Sequence, residues 1–400
     1  MKAPLLSLCA LVAGCGGVSF PTNSQWPGPT APAFDGKARF AVTNNKSDSL
    51  SFIAADGSGT NLGAVPVGDN PVELEGPHHL ASSPDGQFIY YNLSNYVPGT
   101  GSGPHGAHGT GNVPGSLVKL DARTYEPLGE ALVSKNPGDV ILSTDGKLAY
   151  VSHYDTVAVT EALSTPGATE EQAYSPVAII DTTTMTRLSL TMVCAEGHGE
   201  GLSADGKTLY VTCALLDQLA VVDVSDPAHP TVTALVPVGP TPNKWPSPQP
   251  SYGPYALTVN PVDDTVWISD NNSGDVRVYD PKTAAMDPTK VMVLGDVTMF
   301  GAFDADASHF FVPLRSTATL VRIDTKTLQT SPLPTPAGSC TNAHAFVMAP
   351  DKSTGVLVCE GDQVMIPGQV VAIGVAGPAI LGSTMTGMFS DGAAWLPPTP

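Results

Sequence analysis

The stretch that decides the fold is Ser203–Thr212, which reads SADGKTLYVT and joins an acidic turn to an apolar run. Closely similar stretches are Ser143–Ser152 and Ser83–Asn92. The turn recurs seven times along the chain, at Asp35, Asp85, Asp145, Asp205, Val262–Asp263, Asp306 and Asp351. The spacings of 50, 60, 60, 57, 44 and 45 residues suit one four-stranded unit each, with insertions in the early copies.

Each unit continues with a third alternating strand, such as LVRIDTKTL at 320–328, and a fourth strand, such as TALVPVG at 233–239. Four short strands joined by tight turns predict an antiparallel blade, and seven units predict an all-β, seven-bladed β-propeller. No helical-period segment of useful length is present. Aromatic side chains recur in the second strand and are expected between the blades, namely Phe40, Tyr90, Tyr150, Tyr210, Trp267 and Phe311.

The first unit lacks a convincing first strand, because Trp26–Ala33 is rich in proline and proline cannot donate a ladder hydrogen bond. The C-terminal stretch Met388–Leu396, MFSDGAAWL, is expected to supply that strand and close the ring. An eighth blade is the alternative.

The blade pattern resembles the repeat of the YVTN family of seven-bladed propellers, and the resemblance covers about residues 34–397, taken as the propeller domain. The resemblance implies the fold. It implies no particular activity, because the family includes many binding proteins without assigned chemistry.

The N-terminus is read as an address rather than as part of the fold. Lys2 precedes an apolar run, and LVAGC at Leu11–Cys15 resembles the lipobox of bacterial lipoproteins. The resemblance implies a signal peptide over 1–14, a lipid on Cys15 and, because Gly16 is not an aspartate, the outer membrane, on its periplasmic side or at the cell surface. Residues 15–33 are expected to form an extended tether rich in Pro, Gly and Ser.

The charge composition limits the classes of binding partner that we expect. The chain has 18 Lys and Arg against 37 Asp and Glu, a net charge of −19. Such a surface repels phosphate backbones and anionic headgroups, so nucleic acid is not expected and membrane contact is expected only through the lipid. We expect a monomer.

The cysteines that follow Cys15 form two equal patterns, each with a histidine between two cysteines. These are Cys194-x3-His198-x14-Cys213 and Cys340-x3-His344-x14-Cys359. Outside the cytoplasm the expected state is one disulfide within each blade. A Cys2His metal site in each blade is the alternative. If the hairpin turns at Asp205–Gly206, Cys213 lies opposite His198.

Three histidines share one position, seven residues before the turn acid, where the innermost strand begins: His78, His198 and His344. They are expected near the mouth of the central channel and are candidate ligands for copper, zinc or iron. His79, His153 and the pair His105 and His108 are candidate additions. Large insertions fall on the same face and predict a binding surface that includes His105, His108, Trp245, Tyr252 and Tyr255.

Three functions stay open. We favour an extracytoplasmic propeller that binds a protein, a polysaccharide or a small ligand through this face. The first alternative is a metalloprotein, with redox activity as an option. The second is a lactonase or lyase, because Gly76–Leu80 resembles a stretch of propeller lactonases and the region 253–269 resembles a streptogramin-lyase blade. No nucleophile motif such as GxSxG is present, so a protein without enzymatic activity is favoured.

Overall fold

The computed structural model describes residues 31–33, 35–68, 74–94 and 113–398. The predicted signal peptide, the predicted lipid site Cys15 and most of the tether lie outside the described residues. The same is true of His105 and His108.

Seven four-stranded antiparallel sheets form the ring, so the predicted seven-bladed propeller is confirmed and the eight-bladed alternative is wrong. Blades 1 to 3 contain β1 (Arg39–Asn44), β2 (Ser49–Ala54), β3 (Asn61–Pro66), β4 (Pro77–Ser82), β5 (Phe88–Leu93), β6 (Ser116–Asp121), β7 (Pro127–Leu132), β8 (Pro137–Leu142), β9 (Leu148–His153), β10 (Tyr174–Asp181) and β11 (Thr186–Ala195). Blades 4 and 5 contain β12 (Gly197–Leu202), β13 (Thr208–Cys213), β14 (Gln218–Asp223), β15 (Thr231–Pro237), β16 (Pro254–Val259), β17 (Val266–Asp270), β18 (Asp275–Asp280) and β19 (Ala285–Val293). Blades 6 and 7 contain β20 (Ala302–Phe303), β21 (His309–Leu314), β22 (Thr319–Asp324), β23 (Thr330–Pro334), β24 (Ala343–Met348), β25 (Thr354–Cys359), β26 (Gln369–Gly374) and β27 (Ala379–Met385), and the last strand is β28 (Ser390–Leu396).

The ring is closed by the C-terminal strand, as predicted. β28 pairs antiparallel with β1, with Arg39 opposite Leu396 and Phe40 opposite Trp395, and so completes blade 1 as its innermost strand. Without β28, β1 would present an unpaired edge toward the axis.

The inter-blade core follows the strand alternation, with one correction. Five of the six predicted aromatic residues pack toward the next blade, as Tyr210 does against Leu257 and Val266 of blade 5. Phe40 instead packs on Val356 and Val358 of blade 7. Adjacent residues of a strand point to opposite faces, and Ala41 holds the position that blades 2 to 6 fill with an aromatic ring.

Buried hydroxyl groups fix each inner strand to its neighbour. Thr43 Oγ1 donates to His78 O at 2.6 Å, and Thr212 Oγ1 donates to Tyr255 O at 2.9 Å. Ser152 Oγ donates to His198 O in the same way. These residues end the YVT-like stretches that decide the fold, so the repeat motif also sets the height of the inner strands along the axis.

A short helix, α1 (Thr156–Ser164), interrupts the otherwise all-strand pattern, and 3-10 turns lie at Asn45–Ser47 and Glu170–Ala173. The sequence showed no useful helical period here. The Asp155 side chain caps α1 by accepting from Ala158 N at 3.0 Å, and Val159 and Ala162 pack in one cluster with Leu215 and Leu216. The helix is therefore held by its cap and by packing rather than by its periodicity.

Both predicted disulfides are present, Cys194–Cys213 and Cys340–Cys359. Their position within the fold differs from the prediction in one respect. Cys194 lies in β11, the outer strand of blade 3, so its bond to Cys213 in β13 joins two blades instead of lying within one.

The pair of disulfides indicates an oxidising, extracytoplasmic environment. The described residues contain no helix of the length and apolarity needed to cross a bilayer.

Truncation after Phe389 removes β28 and is expected to abolish cooperative unfolding, because blade 1 loses its inner strand. Urea unfolding followed by tryptophan fluorescence measures the effect. The matched control ends at Pro398 and keeps the strand. A cooperative transition at the control's midpoint in the shorter protein would contradict the role of β28.

Candidate functional site

A β-bulge recurs near the start of six inner strands and turns side chains into the axis. In each case the register with the second strand skips at the bulge. In blade 4, for example, Gly197 pairs with Cys213 and Glu200 pairs with Val211. The prediction that His198 lies opposite Cys213 is therefore wrong, because regular pairing assumes no extra residue. The bulges fall at His78–His79, Gly138–Asp139, His198–Gly199, Tyr255, His344 and Asp391–Gly392.

The bulges bring four histidines together on the axis. The ring centres of His78 and His79 lie 4.6 Å apart, and His198 lies 5.6 Å from each of them. His344 lies 5.7 Å from His79. We call His78, His79, His198 and His344 the histidine core.

Two aromatic rings wedge the histidine core. Tyr255 stacks on His198 with ring centres 4.1 Å apart and planes 19° apart. Phe300 lies 4.7 Å from His79 and stacks on His344 at 5.8 Å. Phe300 belongs to blade 6 but bridges to the inner strand of blade 7, donating from its backbone N to His344 O at 3.0 Å.

The histidine core is internal. His78, His198 and His344 have no exposed surface, and His79 is only 4% exposed. The sequence predicted three of these side chains at the mouth of a channel, whereas the structure places them fully buried on the axis. They do not form part of an exposed binding surface.

Each of three imidazoles has an oxygen atom near its Nδ1 atom, as a hydrogen-bond partner for His79 and His78 and as an ion-pair contact for His344. His79 Nδ1 lies 2.8 Å from Asp139 Oδ1, and His344 Nδ1 lies 3.1 Å from Glu360 Oε1. His78 Nδ1 lies 3.1 Å from the backbone oxygen of Pro137. These contacts orient the rings and leave Nε2 as the second nitrogen.

The Glu360 carboxylate contacts both His344 and the Arg315 guanidinium, which balances its charge. Burial by itself would raise the pKa of Glu360, but contacts with His344 and the Arg315 guanidinium outweigh burial and hold that pKa below its usual range. Arg315 binds both carboxylate oxygens, at 3.0 and 2.7 Å. Burial lowers the pKa of His344, so a neutral imidazole lies beside an ionised carboxylate.

Other buried carboxyl groups border the core. Asp391 lies 3.6 Å from His78 Nε2, and burial raises its pKa well above the usual range. Burial also raises the pKa of Glu200, and the nearby Asp139 adds to the effect. The backbone N of Glu200 donates to Asp139 Oδ2 at 3.3 Å, which links the inner strand of blade 4 to the carboxyl of blade 3.

His153 is separate from the histidine core. Its Nδ1 lies 2.9 Å from Pro176 O, and its Nε2 accepts from Ser134 N at 2.9 Å. Backbone groups thus occupy both ring nitrogens. Burial lowers the pKa of His153 to about 4, so the neutral ring is part of the blade structure.

The predicted surface residues serve mainly to pack the loops. Trp245 is half-buried and donates from Nε1 to Ala168 O at 2.9 Å. Tyr252 is buried beneath the Arg277 guanidinium, 4.3 Å from the ring centre. Tyr255 belongs to the axis, as described above.

Sequence reasoning missed several groups of the site. Asp139 follows the repeat position of blade 3 by one residue, and Asp391 lies in the C-terminal strand, which carries no turn acid. Glu360 follows a cysteine at the far end of a second strand. Phe300 follows the aligned Met299 by one residue because blade 6 has only a two-residue inner strand. The bulge displaces Asp139 and Asp391 from the position that the repeat predicts, whereas Glu360 and Phe300 lie outside the bulges.

Imidazole and carboxylate groups in a dry centre suit a divalent transition metal. Among the described residues, no set of three or more His, Cys, Asp or Glu side chains is already arranged to hold an ion. The rings of the histidine core would have to turn in order to coordinate one.

No family model matches the sequence, and no curated protein matches it. The resemblance to the YVTN family therefore stays a prediction. Solved structures share the fold. A periplasmic gluconolactonase of Pseudomonas aeruginosa superposes with a TM-score of 0.64 at 14% identity, covering 90% of this chain and 99% of that one.

Two further solved structures share the fold over 90% and 75% of this chain. A functionally unknown protein from Desulfotomaculum acetoxidans gives a TM-score of 0.62 at 11% identity, covering 90% of this chain and 99% of that one. Hydrazine synthase of Kuenenia stuttgartiensis gives 0.56 at 18% identity, covering 75% and 77%. At such identities the likeness establishes the propeller fold alone.

Gly199→Ala is expected to destabilise the protein by about 1–3 kcal/mol. A Cβ there would lie 2.7 Å from Ala256 Cα and 2.8 Å from Tyr255 O, where blades 4 and 5 meet and His198 stacks. Gly377→Ala is the control, because nothing lies within 4 Å of its added Cβ. Urea unfolding compares the variants, and equal midpoints would show that the close approach is not required.

His153→Gln is expected to flatten the acid dependence of stability. The folded pKa of about 4 lies below the ordinary histidine value, so the neutral ring stabilises the fold fully above about pH 6.5 and the contribution is lost as pH falls toward 4. The loss is up to about 3 kcal/mol. Unfolding free energies of both proteins at pH 7 and pH 4.5 test this, and identical falls would contradict it.

Proposed function

We propose that this chain is an extracytoplasmic, lipid-anchored β-propeller whose histidine core binds a transition-metal ion: copper, zinc or iron. The observation that carries the proposal concerns two ring nitrogens. His79 Nε2 and His344 Nε2 are buried, and neither has a hydrogen-bond partner among the described residues.

Such atoms are costly unless something binds them. A buried polar group left unsatisfied costs about 1–3 kcal/mol, and native proteins rarely tolerate several together. Here the two atoms belong to rings only 5.7 Å apart, centre to centre. A bound cation accounts for both atoms at once.

The spacing suits a shared ion. A metal lies about 2.0–2.1 Å from an imidazole nitrogen, which places it roughly 3 Å from the ring centre. Two rings on one ion therefore lie at most roughly 6 Å apart, centre to centre. The ring-centre separations of 4.6 to 5.7 Å fall within that span.

The surroundings resemble a second coordination shell. Metal-bound histidines usually give their other nitrogen to a carboxylate or a carbonyl oxygen. Asp139, Glu360 and the Pro137 carbonyl take these positions for His79, His344 and His78. The rings of His79 and His344 are therefore held at Nδ1, and Nε2 is the nitrogen that these two rings offer to a metal.

A partner-binding role for the histidines is less well supported, because the core is buried. A partner-binding face would have to rest on other residues. The lipid anchor and the outer-membrane location are supported by the LVAGC stretch at Leu11–Cys15, and the extracytoplasmic location is supported by the two disulfides.

Elemental analysis of the untagged protein, secreted without its lipid, tests the metal site. We expect close to one equivalent of metal in the wild type and its loss in His79→Gln/His344→Gln. His229→Gln is the matched control, because His229 is exposed and pairs only with Asp226 in a distant turn. Folded wild type that stays metal-free after exposure to Cu²⁺, Zn²⁺ and Fe²⁺ would overturn the proposal.

A lactonase activity is the second candidate, because one structural neighbour is named a gluconolactonase. The same proteins decide it. Hydrolysis of gluconolactone by the wild type and by His229→Gln, but not by His79→Gln/His344→Gln, would place an enzymatic reaction at the core. No hydrolysis above the buffer rate by any of them would exclude this activity.

A further inference from the structure

The two disulfides lie at equivalent points of two blades, each beside a histidine of the core. In both cases the second cysteine is the last residue of the second strand and pairs with the residue that precedes the histidine. Cys213 faces Gly197 before His198, and Cys359 faces Ala343 before His344. Each disulfide is therefore one residue away from a bulge that turns an imidazole into the axis.

The chain enters blade 4 through a strained turn. Only Glu196 separates the end of β11 from the start of β12, and its φ is +53°. This left-handed region costs a residue with a side chain roughly 1–2 kcal/mol, and the Glu196 backbone oxygen accepts from Ala214 N at 3.1 Å. The Cys194 sulfur lies close to Gly197, 3.8 Å from where a Cβ on that residue would be.

The entry into blade 7 has the same form. Asn342, two residues before His344, has φ +55°, and its backbone oxygen accepts from Glu360 N at 2.9 Å. Cys340 lies two residues earlier, and Cys359 directly precedes Glu360. This one disulfide therefore holds both His344 and the carboxylate that contacts its Nδ1.

Blades 2 and 5, whose entries carry no disulfide, use a different device. Gly76 enters blade 2 with φ +64°, which costs glycine nothing, and Asp48 Oδ1 accepts from its backbone N at 2.7 Å. Gly253 enters blade 5 in the same conformation and is held by Asp217 Oδ1 at 2.8 Å. A residue other than glycine takes the left-handed conformation at four entries, Asn136, Glu196, Asn342 and Phe389, and the sulfur bridges occur at the two of them that lead to His198 and His344.

We propose that Cys194–Cys213 and Cys340–Cys359 are positioning devices for His198 and His344, so that the histidine core holds its metal ion tightly only after both bonds have formed. The inference rests on the proposed metal site and adds its regulation. Reducing each bond takes two electrons and two protons from an external dithiol and gives two thiols. Metal would therefore be retained outside the cytoplasm and released under reducing conditions.

Pairwise replacement tests this without creating free thiols. Cys194→Ala/Cys213→Ala and Cys340→Ala/Cys359→Ala each leave the other bond intact. We expect each pair to weaken Zn²⁺ binding about 10- to 100-fold, the usual effect of losing support for a metal ligand. Affinity is measured by competition with a chromophoric chelator, and circular dichroism confirms the fold.

The matched control is Val375→Ala. Val375 is buried in the same blade as His344, but its backbone N bonds to Ser353 O near the first hairpin turn, at the opposite end of the blade. It should lower stability without changing Zn²⁺ affinity. Wild-type affinity in both cysteine pairs would overturn the inference, as would an equal loss in Val375→Ala.

A second readout separates this inference from the metal proposal. His198 stacks on Tyr255, so its ring proton resonances should carry a ring-current shift in the metal-free protein. With ¹³C-labelled histidine, we expect that shift to be lost in Cys194→Ala/Cys213→Ala and kept in Val375→Ala. If the wild type binds no metal, the metal proposal is overturned. If the His198 resonance is unchanged in Cys194→Ala/Cys213→Ala, the positioning role is overturned.

Discussion

The β-bulge near the start of the inner strands is the constraint on which the centre of this molecule depends. A regular inner strand would send alternate side chains into the blade-to-blade core. The extra residue at each bulge turns His78, His198, Tyr255 and His344 toward the axis instead. Hydroxyl groups from neighbouring second strands hold the backbone oxygens of His78, His198 and Tyr255, and Phe300 N holds that of His344, so their side chains meet in one layer.

That layer has an unusual balance of charge. Carboxyl groups of Asp139, Glu200, Glu360 and Asp391 surround the imidazoles, and Arg315 is a cation that binds Glu360 directly. In a medium of low dielectric constant such a group of acids must be protonated, be paired or share a cation. The raised pKa values of Glu200 and Asp391 favour the protonated form of these two acids. A metal ion at the histidine core would be the shared cation.

The repeat predicted the blades, the closing strand and the disulfide pairs, because each follows from strand alternation and spacing that the sequence displays directly. It also predicted His78, His198 and His344 as a group. It did not predict their burial or their convergence with His79. A bulge leaves no trace in the apolar pattern, so Asp139 and the blade 4 register were beyond reach. Phe300, which lies outside these bulges, and a short helix held by its cap and its neighbours were beyond reach as well.

The most direct measurement is anomalous diffraction from crystals of the metal-loaded, oxidised protein, recorded above and below the absorption edge of the bound metal. The account predicts a single strong peak about 2.0–2.1 Å from Nε2 of both His79 and His344, with the Nδ1 contacts to Asp139 and Glu360 retained. A histidine core without a peak, in crystals whose metal lies only at the protein surface, would contradict it.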